Sequence, residues 1–216
     1  MQNTAFQQTD SHYYVQWKHW MLPLIQDGPN AVLDLGCASG IMGRKLLEAG
    51  KAGEMVGVEI FPSAAAEAEK AYRKVYVGDV EEMTLDYPEH FDYVICGDVL
   101  EHLKDPYNVL KKIHQWLKPG GKVLVCLPNI RNYHVVNDLV FQGKWEYVPA
   151  GIMDKTHLRF FTRSSCGQMV KDAGFAVCHE QVIIDGPKKN GFNQLTLGLF
   201  REFLASQIFC VGEKPK

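Results

Sequence analysis

Two groups of residues in this 216-residue chain have the types and spacing to do chemistry. The first is Asp98-Val99-Leu100-Glu101-His102, which can be joined from downstream by His157 and Arg159 of Asp154-Lys155-Thr156-His157-Leu158-Arg159-Phe160-Phe161-Thr162. One helical turn puts positions 98, 101 and 102 on a common face, and an imidazole titrates near neutral pH. Groups placed that way can take a proton from a hydroxyl. If the downstream segment is extended, alternation sends His157 and Arg159 to one side and Leu158 and Phe160 to the other. Two carboxylates and two imidazoles also make a plausible set for a divalent cation. It is as open that both histidines only bond to backbone and fasten a loop, and we assign no metal ligand.

The second group is Val32-Leu33-Asp34-Leu35-Gly36-Cys37-Ala38-Ser39-Gly40, a buried-strand pattern that enters a tight small-residue turn before a helix. A dinucleotide fingerprint begins the same way, but its third glycine would fall at position 41, which is Ile41. A bulky residue there argues against a pyrophosphate and hence against a nicotinamide-dependent oxidoreductase. Two more acids stand where apolar runs end, Glu59 after Val56-Gly57-Val58 and Asp79 after Val77-Gly78. A carboxylate at the end of a second strand can accept both hydroxyls of a ribose.

Positioning these residues requires a sheet. Short apolar runs near 31–35, 55–60, 74–78, 91–97 and 122–127 alternate with amphipathic stretches near 41–49, 63–72 and 106–117, which predicts a parallel sheet covered on both faces. Lys118-Pro119-Gly120-Gly121 predicts a turn before the fifth strand. Thr162 is placed to cap a helix ending near Gly174, Val177–Ile184 predicts a strand, and Gln207–Val211 the last one. Residues 10–26 have helical character and carry Tyr13, Tyr14 and Trp17. The stretch from Pro128 to Phe161 is long for a plain connection. Its aromatics Tyr133, Phe141, Trp145 and Tyr147 predict an ordered cap over the carboxyl edge of the sheet, enclosing a substrate together with the N-terminal segment.

The composition, 46% hydrophobic and 22% charged, is that of a globular chain with one full core. We therefore expect one domain over 1–216, with a helical cap (1–30), a core (31–128), a lid (129–161) and the remainder of the sheet (162–216). A formal net charge of -2 argues against a large nucleic-acid face. Six scattered cysteines form neither a C-x-x-C pair nor a dense disulfide framework, so buried thiols in a reducing compartment are expected. No apolar run has the length of a membrane span and no signal peptide is recognisable, so the expected setting is soluble and cytoplasmic.

Taken together, the Gly36–Gly40 loop, Glu59, Asp79 and Lys118-Pro119-Gly120-Gly121 resemble the class I S-adenosylmethionine-dependent methyltransferases. The resemblance implies an α/β, three-layer Rossmann-like fold, a mostly parallel seven-stranded sheet with an antiparallel last strand. It implies S-adenosyl-L-methionine as cofactor, bound by Asp34, Gly36, Cys37, Ala38, Gly40, Glu59, Ile60, Asp79, Val80, Gly97 and Asp98. In that family Asp34 would orient the methionine amino group, Glu59 the ribose, and Asp79 the adenine amino group. The family has glycine where this chain has Ala38. Glu101 with His102 or His157 would then deprotonate an acceptor, and Arg159 would position it.

The arrangement Asp98-x-x-Glu101-His102 with a later histidine is similar to metal-assisted O-methyltransferases of ubiquinone biosynthesis and of small RNA, the latter with Glu at position 98. The longer run through Leu127-Pro128-Asn129 and Gly143-Lys144-Trp145 resembles bacterial methyltransferases of surface-polysaccharide pathways, implying a sugar hydroxyl. Between 129 and 163, Arg131, Lys144, Lys155, Arg159 and Arg163 outnumber Asp138, Glu146 and Asp154, which suits an anionic small-molecule acceptor. A non-catalytic cofactor-binding scaffold stays open as an alternative.

Overall fold

The computed structural model describes residues 18–216. Seven strands form one sheet: β1 Ala31–Leu35, β2 Glu54–Glu59, β3 Lys74–Val77, β4 Phe91–Gly97, β5 Leu117–Pro128, β6 Ala176–Ile183 and β7 Gln207–Glu213. Their order is β3-β2-β1-β4-β5-β7-β6. Strands β1 to β5 pair in parallel, while β7 runs antiparallel to both β5 and β6. The order reverses between β1 and β4, and such a switch point opens a crevice beyond the carboxyl ends of the strands.

Alternate residues of the strands feed two cores. Leu33, Leu35, Val56, Val58, Val94 and Val125 face one side. Val32, Met55, Ile95, Leu124 and Phe209 face the other. Burial on both sides explains why the central strands are continuous apolar runs rather than alternating ones. The helices are α1 Ile41–Glu48, α2 Pro62–Ala68, α3 Pro106–Trp116, α4 Tyr133–Gln142, α5 Arg163–Asp172, α6 Pro187–Leu195 and α7 Arg201–Leu204. Helix α3 starts with Asp105 accepting from the Asn108 amide at 3.0 Å and buries Val109, Leu110, Ile113 and Trp116, one helical face. Thr162 caps α5 through a reciprocal pair with Ser165.

Three expectations are corrected. The described part of the helical stretch at 10–26 is a 3-10 turn, His19–Leu24, with Pro23 inside it, where the missing amide prevents a regular helix. Tyr13, Tyr14 and Trp17 lie outside the described residues. Lys118–Gly121 is not a turn ahead of β5 but an excursion within it: Leu117 pairs with Phe91 and Lys122 with Tyr93, leaving only Asp92 opposite the four residues between. Gly120, at φ +78°, allows the excursion. Tyr133, Phe141, Trp145 and Tyr147 do not pack inward: Phe141 is 81% exposed and the other three are also exposed, while Phe161 at the end of the segment is buried in the core. The attachment at the start of the segment is polar. The Asn129 side chain donates to the Glu202 and Ala205 carbonyls (2.7 and 3.1 Å), and that of Asn132 to Ala205 (2.8 Å).

Candidate cofactor and acceptor site

The turn after β1 is built from three residues in the left-handed region, Gly36 (φ +65°), Ala38 (φ +47°) and Gly40 (φ +76°). The amides of Gly36 and Cys37 both donate to the Val58 carbonyl (2.8 and 3.1 Å), pinning the turn to β2. Glu59, at the end of β2, is buried; Oε2 accepts from the Ala38 amide at 2.8 Å and Oε1 from the Phe61 amide at 3.0 Å. Each oxygen keeps a further lone-pair direction. Beside it the Ile60 side chain is exposed, and at the end of β3 Asp79 Oδ1 accepts from the Glu81 amide at 2.8 Å. Val80 is buried in the core.

This set fits a nucleoside: a fixed carboxylate for a diol, an exposed apolar side chain for a ring face, and a second carboxylate one strand away. The sequence accounts for the shape. Gly40 cannot carry a side chain, because a Cβ would lie 2.9 Å from the Ala68 Cα.

Asp34 sits below the loop, 4% exposed, and Oδ2 accepts the Tyr72 hydroxyl at 2.7 Å. Burial, opposed by the Tyr72 hydrogen bond and reinforced by the nearby Glu59 charge, pushes its carboxyl up to about 7. Burial likewise pushes the Cys37 thiol up, so it stays a neutral neighbour rather than a nucleophile.

Beyond β4, Asp98 adopts φ +58° and its amide donates to the Cys126 carbonyl at 3.1 Å. Its carboxylate meets Lys18 Nζ at 2.5 Å and Gln207 Nε2 at 2.9 and 3.1 Å. The Lys18 stem lies over Gly97, where a Cβ would stand 3.3 Å from Lys18 Cε.

Leu100–His102 forms one 3-10 turn. Glu101 is fully buried, and neither carboxylate oxygen has a partner among the described residues. Desolvation, and then the neighbouring Asp98, raise its carboxyl well above the usual range. His102 Nδ1 faces the Thr156 carbonyl at 3.2 Å and Thr156 Oγ1 at 3.1 Å. Since that hydroxyl donates to Asp154 Oδ1 (2.7 Å), both atoms accept, which assigns the proton to Nδ1 and the lone pair to Nε2. His157 is buried with Nδ1 3.0 Å from the Ile152 carbonyl, so its lone pair is on Nε2 as well. The two rings meet edge to face at 4.8 Å. Burial, and then the adjacent His157, lower the pKa of His102. Glu101, His102 and His157 each offer an atom within 4.8 Å of the others, spacing that a divalent cation can bridge.

Arg159 stands apart in the structure. It is exposed and donates to the Lys104 carbonyl, while His157 is buried. The expected alternation fails because Leu158 and Arg159 both donate their amides to the Glu101 carbonyl (2.8 and 3.0 Å), which an extended strand cannot do.

Reading the sequence alone misses Lys18, Gln207 and Tyr72. The first two leave no local signal, being 80 and 109 positions from Asp98. Tyr72 leaves a faint one, since Gly40, Gly43 and Gly57 all face its ring.

A sheet that reverses between β1 and β4, a left-handed small-residue turn and acids ending β2 and β3 define the class I S-adenosylmethionine-dependent methyltransferase fold. Residues 6–180 match the profile of the methyltransferase-domain family. The chain belongs to that family, and S-adenosyl-L-methionine is the cofactor that the family and fold imply.

Among curated relatives, the ubiquinone biosynthesis O-methyltransferase of Pseudomonas paraeruginosa is 30% identical over 152 residues, covering 68% of this chain and 64% of that protein. That of Pseudomonas syringae pv. tomato is 30% identical over 155 residues, with the same shares. The chain thus spans just under two thirds of the length of these relatives. Among solved structures, a SAM-dependent methyltransferase of Archaeoglobus fulgidus superposes with a TM-score of 0.67 at 18% identity, over 91% of this chain and 90% of that one. One from Mesorhizobium loti gives 0.64 at 17% identity, over 91% and 95%. Among the described residues no helix is long and apolar enough to cross a membrane.

Proposed function

We propose that this chain transfers the methyl group of S-adenosylmethionine to a hydroxyl oxygen of a small molecule, with a sugar-linked anionic acceptor as the preferred class. In this reading Asp34, the Gly36–Gly40 turn, Glu59, Ile60, Asp79, Val80 and the Gly97–Asp98 backbone hold the donor. When bound, S-adenosylmethionine would supply the methyl group and leave as S-adenosylhomocysteine, and His157 Nε2 would take the proton of the acceptor hydroxyl. The carrying observation is the His157 Nδ1 bond to the Ile152 carbonyl, which fixes the ring and keeps the basic lone pair on the other nitrogen. His102 and Glu101 each bring an atom within 4.8 Å of a His157 ring nitrogen, and Arg159, on the exposed side, supplies positive charge towards an anionic group. The relatives named O-methyltransferases support oxygen as the methylated atom.

The Glu101 carboxylate, without a partner among the described residues, favours a second reading, in which it and the two imidazoles would hold a divalent cation that acidifies the acceptor hydroxyl.

Turnover of labelled S-adenosylmethionine against sugar nucleotides and catechols, with and without a chelator, tests both. With the base reading, His157→Ala lowers kcat by about 100-fold or more while S-adenosylhomocysteine still binds, and chelation changes nothing. Loss on chelation with recovery on added Mg²⁺ or Zn²⁺ selects the second reading. Wild-type turnover rates in His157→Ala would overturn both.

A further inference from the structure

We propose that Tyr72 is a positioning residue of the donor site: its hydroxyl fixes the Asp34 carboxylate under the Gly36–Gly40 turn so that the second oxygen receives an ammonium group of the bound donor. This rests on the reading of the site as one for S-adenosylmethionine, which carries such a group.

The geometry is specific to the hydroxyl. The Gly43 amide donates to Tyr72 Oη at 3.0 Å, which turns the phenolic proton towards Asp34 Oδ2, 2.7 Å away. Among the described residues Asp34 Oδ1 takes no donor, and none of the groups acting on the carboxylate is a cation. Those groups are Tyr72 after α2, Glu59 at the end of β2, Cys37 in the turn and Cys96 on β4. A carboxylate buried among neutral and anionic groups, with one oxygen held and one open, is prepared for a positive ligand.

Three separate elements leave room for the phenol. A Cβ at Gly40 would stand 3.1 Å from its ring, one at Gly43 2.2 Å and one at Gly57 3.0 Å. A phenylalanine would fill that slot equally well, so packing explains the ring but not the oxygen. Of the groups facing Asp34, the Tyr72 hydroxyl is the one that favours its charged form, against burial and Glu59.

Removing the hydroxyl therefore shifts Asp34 further towards its neutral form, in which it binds an ammonium poorly. The test is calorimetric titration of wild type, Tyr72→Phe, Asp34→Asn and the double variant with S-adenosylhomocysteine between pH 5.5 and about 9. Wild-type affinity is expected to rise through about pH 7. In Tyr72→Phe it should fall about tenfold at neutral pH and recover towards pH 9, its midpoint moved up by about one unit. Asp34→Asn should abolish the pH dependence, and Tyr72→Phe should add nothing to it.

An equal loss of affinity at every pH would make Tyr72 a packing residue and overturn the proposal, as would Tyr72→Phe binding like wild type. If Tyr72→Phe does not fold, a pH-dependent Asp34→Asn overturns it alone. Failure of the wild type to bind at any pH would instead sink the donor reading, and the proposal with it.

Discussion

Asp34 is costly to the free chain in a way that depends on pH. Its carboxyl is raised from 3.8 to about 7 by burial, so what it contributes to stability is fully present below about pH 4 and is lost as pH rises through 7. Asp34→Asn keeps an acceptor for Tyr72 and carries no charge. It should therefore unfold at a higher temperature than wild type at pH 8 and at a similar one near pH 4, while binding S-adenosylhomocysteine less well at pH 8. A variant that loses stability relative to wild type as pH rises would refute the assignment. Glu59 and Asp79 are legible in the sequence because each directly follows an apolar run, so chain position alone puts them at the sheet edge. Lys18 is not: its partner Asp98 lies 80 positions away, and an ion pair between distant residues leaves no periodicity.

At the scale of elements, legibility follows local physics. The α5 helix can be placed from Thr162 alone because capping is decided within one turn. Thr162→Ala removes the acceptor of the Ser165 amide and should cost about 1 kcal/mol in urea unfolding, without changing donor affinity. Lys118-Pro119-Gly120-Gly121 misleads for the same reason that Thr162 succeeds. Its turn chemistry is real, with Gly120 in the left-handed region, but the flanking strands absorb it: the Gly120 amide donates to the Lys214 carbonyl and the Lys214 amide to the Gly121 carbonyl, both at 2.9 Å. Only the neighbouring strand decides between a turn and an excursion. Tyr133, Phe141, Trp145 and Tyr147 mislead differently. Aromatic content measures what could be buried, and the side chains that tie this segment to α7 are Asn129, Asn132 and Arg131, the last through the Glu202 carboxylate and over the Phe203 ring.

At the scale of the molecule, the antiparallel direction of β7 brings its first residue, Gln207, opposite Pro128 at the carboxyl edge and so to Asp98. The segment before β1 and the last strand thus meet on one carboxylate. Lys18→Met keeps the stem over Gly97 and leaves Asp98 to Gln207 alone. With Lys18 buried and Asp98 28% exposed, the expected loss is about 1–2 kcal/mol. Gln207→Leu should interact with it non-additively in a double-mutant cycle, since both act on the same group. Additive losses would mean that the two contacts are independent.

The slot around Tyr72 also bears on how this chain could have changed over time. A Cβ at Gly40 or Gly57 would stand within 3.1 Å of its ring and one at Gly43 2.2 Å from it, so none of the three can gain a methyl group while the phenol stays in place. Once Tyr72 is replaced by a small residue, the crowding at Gly43 is relieved, whereas a Cβ at Gly57 would still stand 2.7 Å from Cys37 Sγ. Gly40 is still held by Ala68 and by its own backbone. The order of substitutions is therefore constrained, position 72 first and 43 afterwards, and a lineage that has taken the later step cannot recover the tyrosine by a single reversal.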